Sequence, residues 1–265
     1  MNLEQPTHAN DPANLVWVRA LGWRFESAMR RLFGPQRYRA VPWTFWEVVL
    51  LAPTVISGVW HGLFDRKTVE HDPTFVRFNQ VAMLLVLLLP FVLVVVRGAL
   101  PYQMGVHPSH FWRNALVGYI AFYVAVPAVL ITNVCALQFF RRTPHSIETS
   151  LIESPTALNF GVAAFSAVIV APIIEELAFR GILLPWLRRI VGPWPAILLC
   201  SAIFAIAHFD AWPAPIALFV LALFLGYLAH RTTSIVGPIV LHATFNAANL
   251  AFLYIVISTK AIPLD

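Results

Sequence analysis

The amino-acid sequence predicts an all-α protein, a polytopic transmembrane helix bundle with seven or eight membrane crossings. Three observations predict it. Of 265 residues, 59% are apolar and only 12% are Asp, Glu, Lys or Arg, about half the charged share of a soluble domain. The few charges are segregated, with none in 78–96, 114–140, 157–174 or 211–230. A chain this size with so few charges has no means of covering itself with a water-facing surface, so those runs are buried or lipid-facing. Several of them also reach the roughly 20 residues that a helix needs to cross the hydrocarbon core.

The elements follow in order. Residues 1–40 read as a basic N-terminal cytoplasmic segment, because Arg19, Arg24, Arg30, Arg31, Arg37 and Arg39 all precede the first apolar span and Lys/Arg beside a span marks the cytoplasmic side. The formal charge of +5 thus reflects orientation and attraction to anionic lipid rather than nucleic-acid binding. Met1 to Asn14 lacks the apolar core of a signal peptide, so the first span is expected to direct insertion.

Residues 41–150 form the N-terminal transmembrane helices. Candidate spans lie at 43–64 (despite Glu47), at 81–96, where sixteen consecutive apolar residues stop before Arg97, and within 114–140. Gly58 and Gly62 have GxxxG spacing, a weak signal for a dimer face. Residues 151–265 form the second set, with spans at 157–190, 194–209, 214–229 and 234–257. The stretch 157–190 would measure roughly 50 Å as one helix, and Pro172 is the expected site of a break or kink. Cys135 and Cys200 both lie in apolar runs and read as packed thiols, which excludes a disulfide scaffold.

Ionisable residues within spans are costly and normally mark a functional interior. Here they are Glu175 and Glu176 with Arg180, then His208, then His242 with Asn246. Glu175 is 17 residues before Gly192 and His208 is 16 after it, so an antiparallel pair places both roughly 24–26 Å from that turn. His242 and Asn246 are one helical turn apart on one face. Polar groups from three helices are therefore expected to converge at one depth. Glu176 and Arg180 at i,i+4 can pair, and Glu175 points about 100° away from Glu176 and is available for another task.

Two chemistries suit one carboxylate and two imidazoles. They can deprotonate a water that attacks a carbonyl, with Asn246 donating to the oxyanion. They can also hold a divalent metal such as zinc, for which His, His and Glu is an accepted catalytic set, although HExxH is absent. The metal-free route is favoured because Asn246 suits an oxyanion donor better than a zinc ligand, so no cofactor is expected. An alternative class is an ion- or proton-coupled transporter with a buried Glu/His relay.

Glu175-Glu176-x-x-x-Arg180, Phe204-x-x-x-His208 and His242-x-x-x-Asn246 resemble, in order and spacing, the signature of the CAAX-protease and bacteriocin-processing family. These intramembrane endopeptidases include type II CAAX prenyl proteases and lysostaphin-resistance proteins. Phe179, Arg180 and Gly181 match the family's usual ending of the first motif, and the resemblance covers about residues 155–257. It implies that Glu175 and His208 activate the water, that His242 and Asn246 stabilise the oxyanion, and that Glu176 and Arg180 support the site. It further implies a peptide or protein substrate, membrane-anchored in some members, and a multi-pass protein of the plasma membrane. Members are widely labelled metalloproteases, whereas the eukaryotic branch resembles a glutamate-dependent enzyme.

Arg188, Arg189 and Arg231 flank the loops near 192 and 232. Counting 157–190 as one crossing puts them on the same cytoplasmic side as the N-terminus, so the charge bias favours seven crossings. The family's usual count favours eight.

Overall fold

The computed structural model describes residues 40–63, 73–108, 110–143 and 146–259. The basic N-terminal segment up to Arg39, the charged connection 64–72 and the C-terminus from Lys260 to Asp265 lie outside the described residues. Those described form helices and turns, with no strand among them. Each apolar run of the sequence becomes a helix.

The first run is divided into α1 (Phe45–Val49) and α2 (Ala52–Leu63). Thr44 opens α1 through hydrogen bonds from its backbone N and its Oγ1 to Glu47 Oε2, at 2.8 and 2.6 Å, a capping box. Pro53 cannot donate to the carbonyl of Val49 and its ring crowds it, which accounts for the division. Helix α3 (Pro73–Arg97) carries the sixteen-residue apolar run, and α4 (Phe111–Phe139) follows a short 3-10 turn, Pro101–Met104. The surface helix α5 (Ser146–Glu153) leads to α6 (Ala157–Val191), then α7 (Pro193–Ala207), α8 (Ala214–Thr232) and α9 (Val236–Ser258).

Five of these are long and apolar enough to cross a membrane: Gln80–Arg97 of α3, then α4, α6, α8 and α9. Two shorter apolar helices accompany them, Phe45–Trp60 and α7. Helix α8 is central, with 56% of its apolar window buried against 11–17% in the other four. The outer helices present large apolar side chains such as Phe91, Ile131, Leu158 and Phe252 outward, as a lipid-facing surface requires.

Of the break or kink expected at Pro172, helix α6 shows no break. The residues ahead of the proline, Phe165–Val170, form a π-helical turn, and a second one spans Leu177–Leu183. The wider turn accommodates the missing N–H and the crowding at residue 168, whereas α3 and α4 pass Pro90 and Pro127 as α-helix. A second correction concerns Gly58. A Cβ there would stand 1.9 Å from the carbonyl oxygen of Ala207, so this glycine serves close packing of α2 against α7 within the chain rather than a dimer face. Gly118 does the same for α4 against Gly237 of α9. Third, Cys135 is exposed on the lipid-facing side, while Cys200 is buried and donates its thiol to Phe179 O at 3.3 Å.

Contacts define the two ends of the bundle. At one, Arg189 Nη1 donates to Val41 O (3.2 Å), Gln103 Nε2 to Ala40 O (2.8 Å) and Ile235 N to Gly105 O (3.2 Å). Arg97 pairs there with Glu47. At the other, Thr143 donates from its N and Oγ1 to Trp212 O at 2.8 and 2.9 Å, and Phe140 packs edge-on against Trp212.

Candidate active site

The polar residues singled out in the sequence come together where α6, α7 and α9 meet. Glu175 and Glu176 occupy the short α-helical stretch Ala171–Glu176 between the two π-helical turns of α6. Such turns are rare and recur at functional sites. His208 caps the C-terminus of α7, and His242 sits in the second turn of α9.

Glu176 and Arg180 form the buried wall. Arg180 Nη1 donates to Glu176 Oε1 at 3.0 Å, with both side chains fully buried. Its Nη2 donates to Ala222 O of α8 at 3.3 Å, and its guanidinium carbon stands 4.5 Å from the centroid of the Phe204 ring, within cation–π range. The same Glu176 Oε1 lies 2.9 Å from His242 Nδ1. A carboxylate oxygen only accepts, so in this contact His242 donates from Nδ1. That bond turns the other ring nitrogen of His242 toward Glu175.

His208 is oriented in the same manner by a different acceptor. Its Nδ1 lies 2.8 Å from Phe204 O, and a carbonyl only accepts, so Nδ1 carries the hydrogen. Nε2 then faces Glu175 Oε2 at 3.7 Å, while His242 Nε2 faces that same oxygen at 3.9 Å. Glu175 Oε2 thus stands before two imidazole nitrogens, beyond direct hydrogen-bond reach of either. The gaps suit a bridging water, which needs about 2.8 Å to each partner. Exposure is graded: the Glu175 and His208 side chains are 27% and 24% exposed, against 5% for His242 and none for Glu176. The Glu175 and His208 side chains are thus partly exposed, while Glu175 Oε2 itself is buried and has no hydrogen-bond partner among the described residues.

Asn246 is placed otherwise. It lies one turn beyond His242 on α9, and its Nδ2 donates to Ala167 O at 2.8 Å. Ala167 belongs to the first π-helical turn of α6, so the amide ties α9 to α6 beside the site. One N–H of Nδ2 remains for another acceptor.

The sequence reading missed two contributors. Phe204, noted there only as a motif position, is fully buried, with its ring 4.6 Å from that of His208, 5.8 Å from that of His242 and 5.1 Å from that of Phe179. Its spacing of four from His208 was the available signal. Gly58 of α2 touches the carbonyl immediately before His208, a contact with no sequence signal beyond the glycine itself.

The donor set can be tested against zinc. Ligands bonded tetrahedrally at about 2.0–2.2 Å stand about 3.3–3.6 Å apart, and the Glu175–His separations of 3.7 and 3.9 Å are wider. Among the described residues, no group of three His, Cys, Asp or Glu side chains has the arrangement to hold a metal ion. As they stand, the residues do not fit one.

Comparison with known proteins gives one match. Residues 157–248, which carry all of these polar groups, match the family described as type II CAAX prenyl endopeptidase Rce1-like. No curated protein and no solved structure matches the chain.

Proposed function

We propose, from the premise that residues 157–248 belong to the Rce1-like family of type II CAAX prenyl endopeptidases, that this chain is an intramembrane endopeptidase using a water activated by Glu175 and His208. The observation that carries the reading is the pair of imidazole Nε2 atoms turned toward Glu175 Oε2 at 3.7 and 3.9 Å, each oriented from behind by an acceptor on Nδ1.

A water between Glu175 and His208 donates one hydrogen to the carboxylate and the other to His208 Nε2. As its oxygen bonds to the scissile carbonyl carbon, Glu175 takes the proton as general base. The negative charge passes to the carbonyl oxygen and needs preorganised donors. His242 supplies one as an imidazolium, donating from Nε2 while Nδ1 remains bonded to Glu176. In that state the charges of Glu175, Glu176, Arg180 and His242 cancel, which removes most of the cost of holding them in a low-dielectric bundle. The second N–H of Asn246 is the other donor. When the intermediate collapses, the C–N bond breaks and Glu175 returns its proton to the leaving amine. No step requires a metal, and the mechanism is metal-independent.

A transporter relay needs polar groups that continue to the other side of the membrane. Beyond Arg180 the buried layer is mainly apolar, with Ile182, Leu183, Leu184, Leu187, Ala196 and Ile197, and Glu176 is the one buried carboxylate among the described residues. The unbroken α6, with the two shorter apolar helices counted as crossings, supports seven crossings, and the substrate is a peptide or a protein segment that reaches the bilayer.

The test is a peptide-library cleavage assay on the purified chain in detergent. Wild type cleaves, whereas Glu175→Ala and His208→Ala insert normally and do not. Full activity in both variants would overturn the reading.

A further inference from the structure

We infer that Asn249 of α9 is a substrate-binding residue, its side-chain amide pairing with the peptide main chain about three residues from the scissile bond. This rests on the hydrolase reading above and adds a contact that holds substrate away from the reacting groups.

The first observation is the place of Asn249 on its helix. It follows His242 by seven positions, which puts it about 20° from His242 around the helix axis and about 10 Å further along. Within about 60° of His242 on the same stripe lie Phe245, Asn246, Leu253 and Val256. Those four are half-buried, whereas Asn249 is exposed. The lipid-facing side of α9 lies elsewhere. Ala248, Ala251 and Ile255 are exposed there, at about 120–180° from His242. Asn249 is thus uncovered on the inward face of α9, where its neighbours are covered.

Helix α7 accounts for the gap. It is antiparallel to α8, with Trp194 stacked on Tyr227, and so runs in the same direction as α9. It sets Phe204 against His242, ring centroids 5.8 Å apart, and ends at His208. Helix α9 continues beyond that level to Ser258. The stretch of its inward face past His242 therefore loses the helix that covers the site itself.

The second observation is the chemistry of the side chain. Asn246 is tied to Ala167 O, but Asn249 has no hydrogen-bond partner among the described residues. An unpaired amide within a span is costly, and polar groups kept in spans mark functional surfaces. The Asn amide offers one carbonyl acceptor and two N–H donors. A peptide drawn into the bilayer brings the complementary set, since its own N–H and C=O groups have lost water. An extended chain advances about 3.3 Å per residue. With the scissile carbonyl at His242, the peptide group beside Asn249 is thus about three residues away. The contact is to main chain, so it holds substrates of differing side chains alike.

The test uses the purified full chain in detergent, and its first measurement is independent of cleavage. A fluorescent decapeptide, selected from a library by binding to the Glu175→Ala chain, is titrated against that chain with and without Asn249→Ala. Removing Asn249 should raise Kd about five- to tenfold, as expected for one lost hydrogen bond. An unchanged Kd, or a library from which the Glu175→Ala chain retains no member, overturns the inference. Next, each backbone amide of the peptide is replaced in turn by an ester, which removes an N–H donor. One replacement, about three residues from the bond that wild type cleaves, should weaken binding when Asn249 is present and have no further effect when it is Ala. Equal losses in both chains at every position overturn the inference. In the active enzyme Asn249→Ala should raise KM by the same factor, with kcat and melting temperature nearly unchanged, as for a contact made only to substrate. A lower melting temperature with unchanged Kd would instead assign Asn249 to the fold. A shift from dimer to monomer in sedimentation with unchanged Kd would assign it to a second copy of the chain. Either result overturns the inference. A wild-type chain that binds the peptide through Asn249 and never cleaves it counts against the hydrolase reading and leaves the Asn249 contact standing.

Discussion

Replacing Glu176 by Gln keeps the shape of the buried wall and removes its charge. Glu176 Oε1 lies 2.9 Å from His242 Nδ1 and 3.0 Å from Arg180 Nη1. The Gln carbonyl still accepts from Nδ1, but a hydrogen bond to a neutral acceptor is weaker than one to a carboxylate by about 1–1.5 kcal/mol. Set against the oxyanion donor that Nδ1 holds in place, that loss should lower kcat about tenfold, with KM nearly unchanged. Arg180 loses its partner as well, and a broken buried pair costs about 3–5 kcal/mol of stability, so the melting temperature in detergent should fall too. The assay is steady-state cleavage of a library-selected peptide, with thermal unfolding of the same sample. A Glu176→Gln enzyme with wild-type kcat would refute the claim that the Glu176 carboxylate positions His242 as the oxyanion donor.

Other outcomes follow from the same geometry. Asn246→Ala should lower kcat by about 10²–10³, the usual effect of losing an oxyanion donor; a lower melting temperature with unchanged kcat would restrict Asn246 to the tether on Ala167. Gly58→Ala forces a Cβ against the carbonyl before His208, and should cost about 1–3 kcal/mol of stability and slow cleavage, whereas Gly161→Ala, with nothing within 4 Å, should do neither. Exhaustive chelation should leave most activity in place, and elemental analysis should find no stoichiometric zinc; loss of activity on metal removal with recovery on adding zinc would contradict the metal-independent mechanism.

The helices were legible because lipid imposes one readable rule, long uncharged runs. The stretches 81–96, 114–140 and 214–229 lie almost wholly within α3, α4 and α8. The shared depth of Glu175 and His208 was legible too, since both are nearly equidistant in sequence from Gly192. His242 counted shallower from its own turn at Thr232–Thr233. That turn is itself sunk into the bundle, with Ser234 and Ile235 buried and Ile235 N bonded to Gly105 O, which restores the common level. The passage of α6 through Pro172 was not legible, because a π-helical turn leaves no compositional mark. Nor was the bond from Asn246 to Ala167, since every residue has a carbonyl and only the fold decides which one an amide meets.

The account depends most on Glu175 as the base that activates water. Its most direct test is peptide cleavage by purified wild type and Glu175→Gln in ¹⁸O-enriched water, with the new carboxylate read by mass spectrometry. The account predicts that wild type places one solvent oxygen in the new C-terminus and that the Gln enzyme, matched in folding, yields no product above background. A Glu175→Gln enzyme that cleaves at the wild-type rate would contradict it.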